Sequence, residues 1–195
     1  MAAGRVATGF SKPYVAKYAN AAGVVSYSDP MILARGVDVT LSPESSDDNT
    51  FYADNQAAEN AGGVFTGGSV ALTVDGLLAA AKQFIFGYPT AGQDGWTEVG
   101  DSAEVPYVGL GYITRYMSDG VTTYVPTILC KTKFSLPEES AATQEDEIDW
   151  QTTSLTATLM RDDSSNHNWK LEGSAFSTES AAEEALKTKL GYEEP

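Results

Sequence analysis

The chain has 195 residues, 42% of them hydrophobic and 10% aromatic, which suits one globular domain, 1–195, with an ordinary core. Twelve basic residues face 27 acidic ones, a net charge of −15 that argues against a conventional binder of nucleic acid or anionic membrane. A lone cysteine, Cys130, leaves no internal disulfide; the N-terminal stretch lacks the apolar segment of a secretory signal, and no run reaches the roughly 18 apolar residues of a membrane span.

Tyr14 to Tyr18 alternates in period two and reads as a short strand begun at Pro13. Arg35 to Ser42 is a clearer strand, with Val37, Val39 and Leu41 on one face, Asp38, Thr40 and Ser42 on the other, and Pro43 ending it. Residues 44–68 follow, acidic and weakly periodic. Compact domains usually connect their elements with about 2 to 6 residues. A segment this long is either disordered or an arm ordered by another body; Phe51, Tyr52 and Phe65 favour the arm, which also carries Asp47 and Asp48. Ser69 to Val74 resumes the strand pattern. Asp75 then reads as the N-cap of a helix over 76–86, with Leu78, Ala81 and Ile85 on its packing face and Gly87 stopping it.

Residues 88–104 read as a variable loop. Tyr107 to Tyr116 and Val121 to Cys130 read as a hairpin, because Asp119-Gly120 is a strong turn signal; Lys131 to Leu136 extends its second strand. Pro137 to Asp149 carries acids and no base, and reads as a solvated loop. In the next strand Leu155, Ala157 and Leu159 point one way and Thr156, Thr158 and Met160 the other. Asp162 to Asn166 reads as a polar turn and Asn168 to Phe176 as a last strand. A C-terminal helix over about 178–190 is capped by Ser177 or Thr178, packs through Ala182, Leu186 and Leu190, and stops at Gly191. Its acids lie early and Lys187 and Lys189 late, as the helix dipole favours. The sum is a mainly β, α+β domain of about eight strands and two helices.

Residues suited to catalysis are sparse. His167 is the single histidine, in a turn beside Ser164 and Ser165, and reads as a solvated turn residue. Asp47-Asp48-Asn49 and Asp162-Asp163 lack the ligand spacing of a calcium loop. Gly109-Leu110-Gly111 lies inside a strand and reads as close backbone packing, and Cys130 as a small buried hydrophobe. No catalytic residue, cofactor or metal is assigned.

Several stretches resemble the major tail proteins, or tail tube proteins, of long-tailed bacteriophages, in the subfamily from phages of Gram-positive bacteria. PYVAKYANAAGVVSYSDP resembles that family's opening strand and turn, ESSDDNTFYADNQAAE its acidic arm, and FSLPEESAATQEDEIDWQTTSLTATLMRDDSSNHNWK its C-terminal strand pair, followed by a terminal helix. The resemblance implies a β-sandwich or barrel-like subunit that forms six-membered rings stacked into a tube, with DNA passing through the channel without specific binding. It implies copies of the chain itself, a tape measure protein and tail completion proteins as partners. The place is the virion tail, assembled in the host cytoplasm. The 44–68 arm would reach the adjacent ring, Thr156 and Thr158 would face the lumen or a neighbour, and an acid-rich wall would deny DNA phosphates any anchor. Two rival readings are a secreted or surface carbohydrate-binding or adhesin module using Trp96, Trp150 and Trp169, and a small hydrolase using acidic residues.

Overall fold

The computed structural model describes residues 4–139, 141, 143 and 150–192. Among them run β1 (Val6–Ala21), β2 (Val24–Ile32), β3 (Gly36–Ser45), β4 (Asn49–Ala53), β5 (Gln56–Ala61), β6 (Phe65–Val74), α1 (Ala79–Phe86), β7 (Val108–Ser118), β8 (Val121–Phe134), β9 (Thr153–Met160), β10 (Lys170–Glu172) and α2 (Glu179–Lys189). The fold is a mixed α+β one dominated by strands. One antiparallel sheet runs in the order β2-β1-β7-β8-β9-β6-β3, with β10 also paired to β8. Among the described residues, strands β4 and β5 pair only with each other. Most of the acidic 137–149 loop lies outside the described residues.

The hairpins follow from their turn residues. Asp119 and Gly120 both take the left-handed conformation between β7 and β8. Ala22 and Gly23 do the same between β1 and β2, and Asp54 and Asn55 between β4 and β5. Two central residues of positive φ match the natural twist of a tight hairpin.

Prolines misled the strand boundaries. Strand β1 starts well before Pro13, which lies at a bulge where Lys12 has φ 55° and the register with β7 shifts. Strand β2 holds Asp29-Pro30 where its register with β1 shifts. Strand β3 continues through Pro43 to Ser45 because it is an edge strand, and an edge has one side without ladder bonds to lose. A register shift between Gly36 and Asp38 also turns Val37 out to solvent, leaving Val39 and Leu41 on the core face.

The sheet curls on itself without closing. Val15 of β1, Val70 of β6, Leu110 of β7, Leu129 of β8 and Leu155 of β9 share one buried cluster, against which Val39 and Leu41 of β3 also pack. Seven flat strands would span roughly 30 Å, too far for both edges to meet one core. Phe10 of β1 lies over Gly36 of β3, where any Cβ would overlap the ring. Helix α1 plugs this core with Ala81, Ile85 and Phe86. On the other side of β1, β7 and β8, Tyr14, Ala16, Ile113 and Ile128 meet Ala182, Leu186 and Leu190 of the α2 segment. Those three strands are therefore buried on both faces.

Helix α1 begins at Ala79, later than expected, and its N-cap position, Leu78, offers no side-chain cap. Asp75 does not cap it. Its carboxylate accepts from the Arg35 amide (3.0 Å) and pairs with the Arg35 guanidinium (2.8 Å), which ties β3 to the end of β6. Leu78, expected in the packing face, is 79% exposed. Gly87 ends the helix in the left-handed conformation, its N–H donating to Gln83 O. Thr178 caps α2 by accepting from the Ala181 amide. The expected last strand shrinks to β10 and one bridge between Tyr124 and Phe176.

Candidate assembly surfaces

The pleat of β9 puts Leu155, Ala157 and Leu159 in the core and Thr156 and Thr158 in solvent. Thr156 stands across from Ala71, and Thr158 across from Ser69 on one side and Lys133 on the other. Ser69 and Ala71 in turn face Ser42 and Thr40 of β3. The outward side of β3, β6 and β9 thus carries small, mostly hydroxylic side chains, of which Thr40, Ser42, Ser69, Ala71, Thr156 and Thr158 are exposed. Asp38 and Glu44 are acids on its β3 border, and Lys133 is a cation on its β8 border. This face is therefore nearly neutral.

The 44–68 arm is divided. Strands β3 and β6 take its ends, and between them β4 and β5 form a separate two-stranded ribbon. Phe51 and Tyr52 are 63% and 65% exposed. They are neighbours in β4, at the point where its register with β5 shifts. Asp47 and Asp48 are exposed at its root. Phe65 differs: it opens β6, is half-buried, and stacks on Trp169 with ring centroids 4.7 Å apart and planes 6° apart. Phe65 therefore anchors the root of the ribbon to the main sheet.

A charged and aromatic cluster sits where β8 and β9 meet. Lys131 Nζ reaches Asp163 at 2.7 Å and lies over the rings of Tyr18 and Tyr107. The Tyr18 hydroxyl donates to Asp163 at 2.7 Å. The bond from Lys131, and next that from Tyr18, holds the Asp163 carboxyl below its usual range. Burial raises the Tyr18 hydroxyl to about 12. Lys133 lies over Tyr107 from the same side of β8. The sequence signal was Lys-Thr-Lys in a strand, whose period of two puts both lysines on one face.

The α2 helix is tied to β1 by a second network. Glu183 accepts from the Tyr14 hydroxyl (2.6 Å) and pairs with Lys12 and Lys187 (3.2 Å each).

The residues weighed for catalysis have structural surroundings. Ser164 donates its hydroxyl to Asp162, which is buried, and also donates its amide there. His167 sits at φ 51° with Nδ1 3.4 Å from the Asp162 carbonyl oxygen, in a turn closed by its own N–H donating to Ser164 O. Gly109 leaves room for the Tyr27 ring and Gly111 for Leu186 and Leu190, so both glycines serve close packing. Cys130 is fully buried, and burial pushes its thiol up to about 11. Trp96 and Trp150 are exposed, while Trp169 is engaged by Phe65. No group of three or more histidine, cysteine, aspartate or glutamate side chains arranged to hold a metal ion occurs among the described residues. No protein-family model matches the chain, and no curated protein matches it significantly.

Proposed function

We propose that the chain is a structural subunit that self-assembles, as stacked hexameric rings, into the tube of a phage tail through which the genome is delivered. The observation that carries this reading is the β4–β5 ribbon. An isolated two-stranded ribbon is marginal in water. This one carries two largely exposed aromatic rings, Phe51 and Tyr52, that belong to no buried cluster of its own chain. A ribbon of that kind is suited to insertion between other surfaces.

Two more features support the reading. Among the described residues, strands β2 and β3 end the sheet with unpaired backbone edges, the liability that a closed ring of identical copies removes. The bare hydroxyl face of Thr156 and Thr158 offers a wall without bulky or strongly charged side chains. In this reading the curled sheet is a barrel-like tail tube fold and that face meets the lumen or a neighbour. The partners are further copies, a tape measure protein and tail completion proteins. DNA passes without specific binding, the chain performs no catalysis, and it resides in the virion after assembly in the host cytoplasm.

Negative-stain microscopy of the purified chain over a series of rising concentrations tests the proposal. Rings or tubes are expected. A strict monomer at every concentration, together with absence from virions, would overturn it.

A further inference from the structure

We propose that the groove between α2 and the open edge of β10 binds an extended acidic peptide of another protein, which adds to β10 as a strand and seats apolar side chains against the helix. Such a site would operate whether or not the chain forms tubes.

The backbone of β10 is only half used. The Cys130 amide donates to Trp169 O, and the Gly173 amide to Pro126 O. Along an antiparallel pair, residues bonded to the partner strand alternate with residues that are not. Trp169, Leu171 and Gly173 therefore bond toward β8, while Lys170 and Glu172, opposite Leu129 and Thr127, turn their N–H and C=O groups away from it. Strand β10 pairs with no other strand among the described residues, so those groups form an open edge. An edge of this kind is a template for an added strand.

A groove of about 460 Å³ runs along that edge. Residues 170–174 line it, together with Ala185, Leu186 and Lys189 of the helix. Ile128, Leu171 and Phe176 give it an apolar lining. Its volume lies within the roughly 300 to 1,000 Å³ of ordinary ligand clefts.

Charge selects an acidic occupant. Two bases of the lining, Lys170 and Lys189, stand against one acid, Glu172, which Arg5 and Lys170 both pair. Lys189 is exposed and takes part in no ion pair among the described residues. On a chain of net charge −15 this is a local excess of cations. An acyl carboxylate would answer the charge and the apolar lining but leave the Lys170 and Glu172 amides unmet, whereas a peptide answers all three. A second copy is the weaker occupant. The edges at β2 and β3 run nine and ten residues, while β10 offers three beside a helix, which suits one strand better than the joining of two sheets.

Fluorescence anisotropy with labelled (Glu-Leu)4 and (Glu-Phe)4 peptides, at chain concentrations below any assembly, tests the site. Saturable binding is expected, with (Lys-Leu)4 about tenfold weaker or worse. Lys189→Glu, which reverses the free cation, and Ala185→Trp, which fills the groove, should each weaken (Glu-Leu)4 binding about tenfold at wild-type urea midpoints. On the wild type, N-methylation of one alternate set of peptide amides should abolish binding and of the other set spare it, because only one set faces β10. Hydrogen exchange at the Lys170 and Glu172 amides should slow when peptide is added. Absence of saturable binding by both acidic peptides would overturn the proposal, as would indifference to which set is methylated. Laurate binding as tightly, with exchange at those two amides unchanged, would assign the groove to acyl carboxylates instead. Self-association abolished by Ala185→Trp, without peptide binding, would assign it to a second copy. Peptide binding by a chain that never forms tubes would overturn the assembly reading alone.

Discussion

Replacing residues 47–63 with a two-residue Asn-Gly turn asks whether the ribbon serves its own fold or another body. Ser46 and Val64 already meet: the Ser46 amide donates to Val64 O at 2.8 Å, and the Val64 amide to the Ser46 hydroxyl at 3.2 Å. Phe65 and its stack on Trp169 are retained. Every residue from Phe51 to Gly63 is exposed and Thr50 is half-buried, so the replacement removes almost no buried apolar surface. The loop shrinks by roughly three halvings, each worth about 0.6 kcal/mol of closure entropy. The expected result is a urea midpoint between that of the wild type and one corresponding to about 2 kcal/mol more stability. Assembly, read by sedimentation and microscopy, should be lost. A loss of more than about 1 kcal/mol would mean that the ribbon supports the core. Tubes indistinguishable from wild type would mean that it is not the assembly element.

Gly191→Ala should cost about 2 kcal/mol or more in urea unfolding, since the residue has φ 80° and an added Cβ would overlap the Tyr27 carbonyl oxygen; unchanged stability would refute that packing. Cys130 should resist thiol reagents at pH 8 until the chain unfolds, because it is buried and its thiol is pushed up to about 11; rapid labelling of the native protein would count against this. At Glu183 burial raises the carboxyl pKa, but bonds from Tyr14, Lys187 and Lys12 outweigh it and leave the pKa lowered. A depressed folded pKa stabilises above the unfolded value of about 4.3, and the effect is lost as pH falls through the folded value. Acid titration followed by Trp and Tyr fluorescence should therefore weaken α2 docking below about pH 4, less steeply in Glu183→Gln, and identical profiles would refute the linkage. Thr156→Lys with Thr158→Lys should leave folding intact; slowed genome ejection from assembled virions would place the face at the lumen, blocked assembly would place it at a neighbour, and no effect on either would exclude both.

Much of the sheet was legible where periodicity was undisturbed. In β9 the alternation of Leu155, Ala157 and Leu159 with threonines reported the buried face directly, and Asp119-Gly120 marked its hairpin. The helices were placed by Gly87, Thr178 and Gly191. Failures came where a local residue type had a tertiary reason. Pro13 and Pro43 look like strand limits, yet a bulge and an edge position absorb them. Asp75 has the chemistry of a cap, but Arg35, far away in sequence, takes it. The ribbon hid inside a polar segment because two exposed strands have no apolar face to give a period of two. Of the cluster at Tyr107 only the two lysines of Lys-Thr-Lys share a readable strand face, because its other members come from β1, the residue before β7 and the turn after β9.

Placement of charge changes what −15 does. Much of it lies off the hydroxyl face: Asp47, Asp48, Asp54 and Glu59 belong to the ribbon or its turns, and Asp94, Glu98, Asp101 and Glu104 occupy the next loop. Screening limits such charges to about 8 Å at physiological salt, so acids on loops do not act across a sheet face. If the hydroxyl face lines a channel, passage there depends on the lack of phosphate anchors more than on repulsion. Lys133 is then the exception, since it borders Thr158 and would present an ammonium group to DNA in every copy.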